Sequence, residues 1–326
     1  MSSTPLLSVR DLQVQFKTLH GTVAAVNGVN FDIEKGELYG IVGESGSGKS
    51  VTALSILNIL PPNGRIDSGQ IRYMDSDLLT LEDHQMRAIR GNEIAMVFQD
   101  ALASFDPVFT IANQIGEAVR IHRKISTSQL NDLIIQQLTS VGIPEPQVRK
   151  DQYPHQFSGG MKQRAMSAMA LSNKPSLIIA DEPTTSLDVT IQAQLMDLFM
   201  HLKESLGVSI LLITHDMGLI AEVCDRVSVM YAGFILETAD VFSLFKEPKH
   251  PYTRGLIDSI PSLDKDIDTL VSIPGRVPSP MELPTGCVFQ PRCSYAEEAC
   301  LLGMPKLQSL ENGTTVACFR VQKGEI

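Results

Sequence analysis

Apolar residues recur with two different periods along this chain, and the places where the period changes mark its elements. Residues 7 to 16 alternate apolar and polar positions as a half-buried strand does, and residues 25 to 33 repeat the pattern before Glu34-Lys35-Gly36-Glu37 makes a turn. Leu38 to Val42 is then an unbroken apolar strand. From Ser50 the apolar positions Ala53, Leu54, Leu57 and Leu60 shift to helical spacing, which Pro61-Pro62-Asn63-Gly64 stops.

Residues from about 110 to 150 are helical in pattern, with Ile111, Ile115 and Val119 on one face, then Leu133, Ile134, Leu138 and Val141, and a break at Gly142-Ile143-Pro144. Strand signals return at Leu177 to Ala180 and Ser209 to Thr214, separated by a helix over Ile191 to Leu206. This alternation predicts an α/β protein with a mainly parallel sheet and helices on both faces, preceded by a β-rich layer. Beyond residue 247, Pro248, Pro251, Pro261, Pro274, Pro278, Pro280 and Pro284 predict an irregular tail.

At 326 residues the chain can bury a sizeable core and suggests about two domains. Its net charge of -10 lacks the basic footprint of a nucleic-acid binder, so nucleic acid is not an expected partner. No apolar run approaches the roughly 18 to 20 residues of a membrane-spanning helix, and the first residues lack the pattern of a signal peptide. A cytosolic location is expected, where the 5 cysteines stay reduced.

Candidate chemistry sits at the ends of two of the strands. Gly43-Glu44-Ser45-Gly46-Ser47-Gly48-Lys49-Ser50, followed by Val51, fits the phosphate-binding loop G-x-x-x-x-G-K-[ST] between a strand and a helix. Backbone N–H groups of such a loop face phosphate oxygens at a helix N-terminus, the lysine adds a point charge, and the Ser50 hydroxyl suits Mg2+. Asp181 and Glu182 close the apolar strand at residues 177 to 180. One carboxylate can hold the metal while the other polarises the attacking water. These two motifs together predict binding and hydrolysis of a nucleoside triphosphate.

Ser158-Gly159-Gly160-Met161-Lys162-Gln163-Arg164 opens a further helix. By itself it fits a helix cap as well as an anion site. Placed shortly before Asp181-Glu182-Pro183-Thr184, it resembles the signature region of ATP-binding-cassette (ABC) ATPases. The resemblance implies a P-loop NTPase fold of the ABC type: a RecA-like core, an antiparallel β layer and a helical subdomain at about 100 to 165. It also assigns roles residue by residue. Gln99 corresponds to the glutamine linking the Mg2+ site to the membrane partner, His215 to the switch histidine at the γ-phosphate, and Asp188 to the loop crossing the dimer interface. His20 occupies the place of the adenine-stacking aromatic, with Phe16 as the alternative. The chain departs from the commonest pattern at Phe157, where leucine is usual, and at Met161, where glutamine is usual.

Tyr153 to Met161, Ala180 to Thr190 and the tail segment His250-Pro251-Tyr252-Thr253-Arg254 look like the ATPase subunits of oligopeptide and dipeptide importers, with nickel and antimicrobial-peptide importers as relatives in cargo. This implies a cassette at 1 to 247, an extension at 248 to 326 and two ATP molecules held between head-to-tail subunits, the second commonly a different chain. It further implies two integral-membrane permease subunits, an extracytoplasmic peptide-binding protein and a peripheral position on the cytoplasmic face of the membrane. The stretch from Phe98 to Pro107, with Ala101 where proline is usual, is the candidate docking surface.

Cys287, Cys293, Cys300 and Cys318 follow the spacing C-x5-C-x6-C-x17-C, without the paired C-x-x-C of structural zinc sites. Spacing alone leaves Zn2+, an iron–sulfur cluster and plain buried thiols open. The importer resemblance implies a [4Fe-4S] cluster. Cys224, on an apolar helix face, is expected in the core.

Overall fold

The computed structural model describes residues 4–99, 104–185, 188–260 and 272–326. They divide into two compact units. One comprises Met1–Glu34, Leu38–Thr80 and Ile213–Ile326, and the other Lys35–Glu37 and Leu81–Leu212.

In the first unit, β1 (Leu7–Thr18) is the inner strand of an antiparallel sheet, flanked by β2 (Gly21–Ile33) and β4 (Gly64–Tyr73), with β5 (Ser76–Asp77) at the edge. The expected alternation in β1 is present but changes phase. Leu7 and Val9 are buried, and so are Leu12 and Val14. The odd-to-even switch is made by a bulge between Val9 and Leu12 in which Asp11 takes φ 46°. One extra residue re-aims every later side chain, so that both halves of the strand face the core.

The second sheet element of this unit is β3 (Leu38–Val42), buried at every position and parallel to β9 (Arg226–Tyr231), with Ile41 opposite Ser228. An unbroken apolar run is what a strand covered on both faces requires. β3 delivers the chain into α1 (Lys49–Ile56). Beyond β9, β10 (Phe234–Asp240) runs antiparallel and is joined by β12 (Thr315–Val316) and β11 (Gln308–Ser309). The tail is therefore less irregular than its prolines suggest. It adds two short strands to this edge and a helix at Pro251–Asp258, whose first residue is a proline at the position where its missing N–H costs nothing.

In the second unit, β6 (Ile94–Val97) runs parallel to β7 (Leu177–Asp181), with Val97 opposite Ala180. Three helices, α2 (Ile111–Arg120), α3 (Thr127–Ser140) and α4 (Gly159–Leu171), bury Ile111, Ile115 and Val119, then Leu130, Ile134 and Leu138, then Ala165, Met166 and Ala168. The start of α3 is fixed by a capping box in which Ser126 and Gln129 satisfy each other's backbone. α5 (Val189–Leu206) follows, and it ends at Gly207 in the left-handed conformation. Among the described residues no helix is long and apolar enough to cross a membrane.

Candidate functional site

The phosphate loop is held in place by backbone crowding at its two motif glycines. A Cβ on Gly43 would lie 2.0 Å from the Met230 carbonyl oxygen, and one on Gly48 would lie 2.5 Å from that of Ala25. Both residues also need positive φ, at 159° and 102°. Only glycine meets both demands. Lys49 is buried, and its Nζ donates to the Gly43 carbonyl at 2.7 Å and to the Glu44 carbonyl at 3.1 Å. Within the loop Ser47 is buried, whereas Ser45 and Gly46 are exposed and Ser50 and Val51 half-buried in the first turn of α1.

In the second unit, Asp181 is buried at the end of β7. Glu182 follows it with φ 45°, a conformation that costs a non-glycine residue about 1 kcal/mol or more and is found where side-chain placement matters. Its Oε2 accepts from Gln99 Nε2 at 3.1 Å and from the Thr185 hydroxyl at 3.0 Å. Two residues that lie 83 positions apart in sequence are thus brought together. Thr185 is a partner that spacing gave no reason to single out.

Ser158 caps α4 by accepting from the Met161 N–H at 3.3 Å, and Gly159 beside it is exposed. A Cβ on Gly160 would come within 3.0 Å of Ile191, so glycine here lets the start of α4 approach α5. Asp188 caps α5, accepting from the Ile191 N–H at 3.0 Å. Its neighbours Ser186 and Leu187, like Asp100 and Ala101 of the candidate docking stretch, lie outside the described residues. His215, in the first unit, is exposed just after β8 (Ser209–Thr214). His20 is exposed in the turn between β1 and β2. Phe16 instead lies against Gly64, where a Cβ would meet its ring at 2.6 Å.

The four tail cysteines line a single pocket together with His250, Phe289, Tyr295 and Phe319. The Cys287 N–H donates to the Cys300 carbonyl at 2.8 Å, and no room exists for a side chain at Gly286, whose Cβ would lie 2.0 Å from that same oxygen. Burial pushes the Cys287 thiol up to about 11, helped by the neighbouring cysteines, and also raises Cys293 and Cys318. Among the described residues, however, no three or more His, Cys, Asp or Glu side chains are grouped so as to hold a metal ion. All five cysteines are free thiols. Cys224 is half-buried at the end of the helix Met217–Val223, where it lies against Gly40.

The ABC transporter family matches residues 26–185, and the oligopeptide/dipeptide transporter C-terminal region matches residues 236–300. The dipeptide transport ATP-binding protein DppD of Bacillus subtilis is 47% identical over 315 residues, covering 96% of this chain and 94% of its own length. A Sinorhizobium fredii protein named as a peptide ABC transporter ATP-binding protein is 48% identical over 326 residues, covering 98% of this chain and 97% of its own. The chain belongs to the ABC transporter ATPases. In solved structures, a dimeric ATP-binding cassette in a post-hydrolysis state, bound to ADP and Pi, matches with a TM-score of 0.66 at 25% identity, over 72% of this chain and 98% of its own.

This ABC ATPase also contains functional candidates that motif spacing did not reveal. Glu237 is fully buried on β10, where its carboxylate accepts from the backbone N–H groups of Lys249 and His250, each at 2.8 Å. Burial raises its pKa, and the hydrogen bonds only partly offset that. Tyr231, Tyr252, His250 and Phe289 form one aromatic cluster with ring centroids 4.7 to 5.7 Å apart. His250 caps the helix Pro251–Asp258 through Nδ1, and complete burial holds its pKa down at about 3. The sequence signal for this group was the His-Pro-Tyr-Thr-Arg segment, which identifies a relative without saying what the residues touch.

Proposed function

We propose that this ABC ATPase energises the import of peptides across the cytoplasmic membrane, with ATP hydrolysis driving a permease on whose cytoplasmic face it sits. The observation that carries this reading is the C-terminal match at 236–300, combined with near full-length similarity to a protein named for dipeptide transport. Residues 1 to 247 act as the cassette and 248 to 326 as an importer-type extension.

In this reading Gly43 to Val51 cradle the triphosphate and Lys49 anchors it. Ser50, Gln99 and Asp181 offer hard oxygen donors of the kind Mg2+ takes, and Mg2+ would neutralise charge developing on the phosphates. Glu182 accepts the proton of the attacking water, with Gln99 and Thr185 fixing its carboxylate. His215 reaches the γ-phosphate. Ser158, Gly159 and Gly160 serve the nucleotide bound by a second cassette subunit, a different chain, and Asp188 lies at that interface. His20 stacks on adenine, because its ring is exposed whereas Phe16 packs against Gly64. Phe98 at the start of the docking stretch and Val108 and Phe109 just past its end are exposed aromatic and aliphatic side chains, which suits contact with two permease subunits that receive cargo from an extracytoplasmic binding protein.

The tail cysteines carry a [4Fe-4S] cluster in this reading. Four thiols on one pocket supply its ligand set. Zinc bound by the same four sulfurs is the alternative. Raised thiol pKa values mean that loading must displace protons. Iron, sulfide and zinc analysis of anaerobically purified protein tests it. About four irons per chain support the cluster, one zinc supports the alternative, and folded protein with neither removes the idea.

The hydrolytic assignment is tested in the complete transporter complex. Glu182→Gln should retain ATP binding and lose at least about a hundredfold in turnover; near-normal turnover would sink it. Ser158→Arg should impair hydrolysis of the nucleotide held by the partner cassette. A defect confined to the mutated chain's own nucleotide would refute the shared site.

A further inference from the structure

The tail reaches the phosphate loop. Arg292 lies in the turn Gln290–Arg292, between Cys287 and Cys293. Its Nη1 donates to Glu44 Oε2 at 2.6 Å and its Nη2 to Glu44 Oε1 at 3.2 Å, a forked pair in which the arginine side chain is 3% exposed and the glutamate 31%. Further bonds lock the guanidinium: Nε donates to the Pro274 carbonyl at 2.8 Å, Nη2 to the Ile273 carbonyl at 3.2 Å and Nη1 to the Tyr231 hydroxyl at 3.3 Å. From the other side, the Glu44 N–H donates to the Tyr252 hydroxyl at 3.0 Å. Backbone and side chain of the second loop residue are thus both held by the extension, from positions 208 and 248 residues away.

A carboxylate is a costly side chain in a loop built to receive a polyanion. Placed a few ångströms from a triphosphate it repels the ligand, unless a cation draws it aside and cancels its charge. Arg292 does both. We propose that Arg292 and Tyr252 are positioning residues of the nucleotide site, which hold Glu44 against the extension and mask its charge so that the phosphate loop accepts ATP. The C-terminal extension is then a working part of the ATP site. This rests on the loop being the site for ATP phosphates.

The test is equilibrium binding of ATP with Mg2+ to the full chain, with thermal melting alongside. Arg292→Met should weaken ATP binding about tenfold by exposing one unmasked charge near the phosphates. Adding Glu44→Gln to it should restore affinity to within about twofold, because the charge that repels the ligand is gone. A purely structural staple predicts the opposite, with the double variant as weak as the single one. Wild-type affinity in Arg292→Met, or no rescue in the double variant, overturns the proposal. Should Arg292→Met fail to fold, Tyr252→Phe and Arg292→Lys decide. Each should weaken binding about threefold, the first by freeing the loop backbone and the second by losing the fork; wild-type affinity in both overturns the proposal. If the unmodified chain binds no ATP, or Lys49→Ala binds it normally, the underlying assignment of the loop fails instead, which these variants separate.

Discussion

The phosphate loop and the cysteine pocket lie in the same compact unit, yet they are built in opposite ways. The loop uses consecutive residues. Its shape follows from two glycines with positive φ and no space for a Cβ, and from a lysine that bonds carbonyls five and six positions back. The pocket draws its thiols from Cys287 to Cys318, and what unites them is long-range packing: the Cys287–Cys300 backbone bond, the aromatic cluster and the pairing of β12 with β10. Chemistry written in adjacent residues keeps its groups together along the chain, and distant contacts such as those of Arg292 and Tyr252 with Glu44 adjust it. Chemistry assembled from distant ones depends on every contact that gathers it.

The sharpest way to break this contrast is to change one charged group in the loop. Lys49→Ala should lower ATP affinity at least about a hundredfold, since it removes the buried point charge, while the fold stays cooperative. Isothermal titration with a melting curve measures both, and loss of the melting transition would show that Lys49 holds the fold as well as the ligand.

A smaller backbone change should act on the pocket. Gly286→Ala places a Cβ on the Cys300 carbonyl and should destabilise the protein by about 1–3 kcal/mol in urea unfolding, lowering any metal content with it. If stability is unchanged, the gathered geometry is less demanding than the contrast holds.

The smallest effect is a pH dependence confined to the tail side. His250 is held at about 3 in the folded protein against an ordinary 6.5, so between those values the unfolded chain binds more protons. Its contribution is fully present above pH 6.5 and drains as the pH falls toward 3. Glu237, whose pKa is raised, works in the opposite direction, because the folded state takes up its proton first. Subtraction isolates the histidine. His250→Asn, which keeps an acceptor for the Tyr252 N–H, should lose less stability than wild type between pH 6.5 and 5. Equal slopes in the two unfolding series would remove His250 as the cause.

Much of the architecture was legible because periodicity and burial agree. Leu38 to Val42 reads as an apolar strand and is one, and the helical faces read through Ile111, Ile115 and Val119 and through Ile134 and Leu138 are buried in α2 and α3. Other features were not. The bulge at Asp11 is invisible to simple alternation, since the strand keeps its apolar content and changes only its phase. β11 and β12 are two residues each, too short for any period to register. In the second unit, Gln99 and Glu182 could be named from motifs, but the Thr185 bond that completes the group could not.

The sequence alone determined the phosphate-loop motif, the carboxylate pair at the end of β7 and the membership in a family of ATPases, because each is carried by neighbouring residues. Only the tertiary structure decided that Arg292 and Tyr252 hold Glu44, that Glu237 is buried under the start of a helix and that four scattered cysteines share one pocket. The physical reason is range. A turn is fixed within a few residues by sterics and hydrogen bonds, whereas a contact across more than two hundred residues exists only after the packing of whole elements has closed the distance.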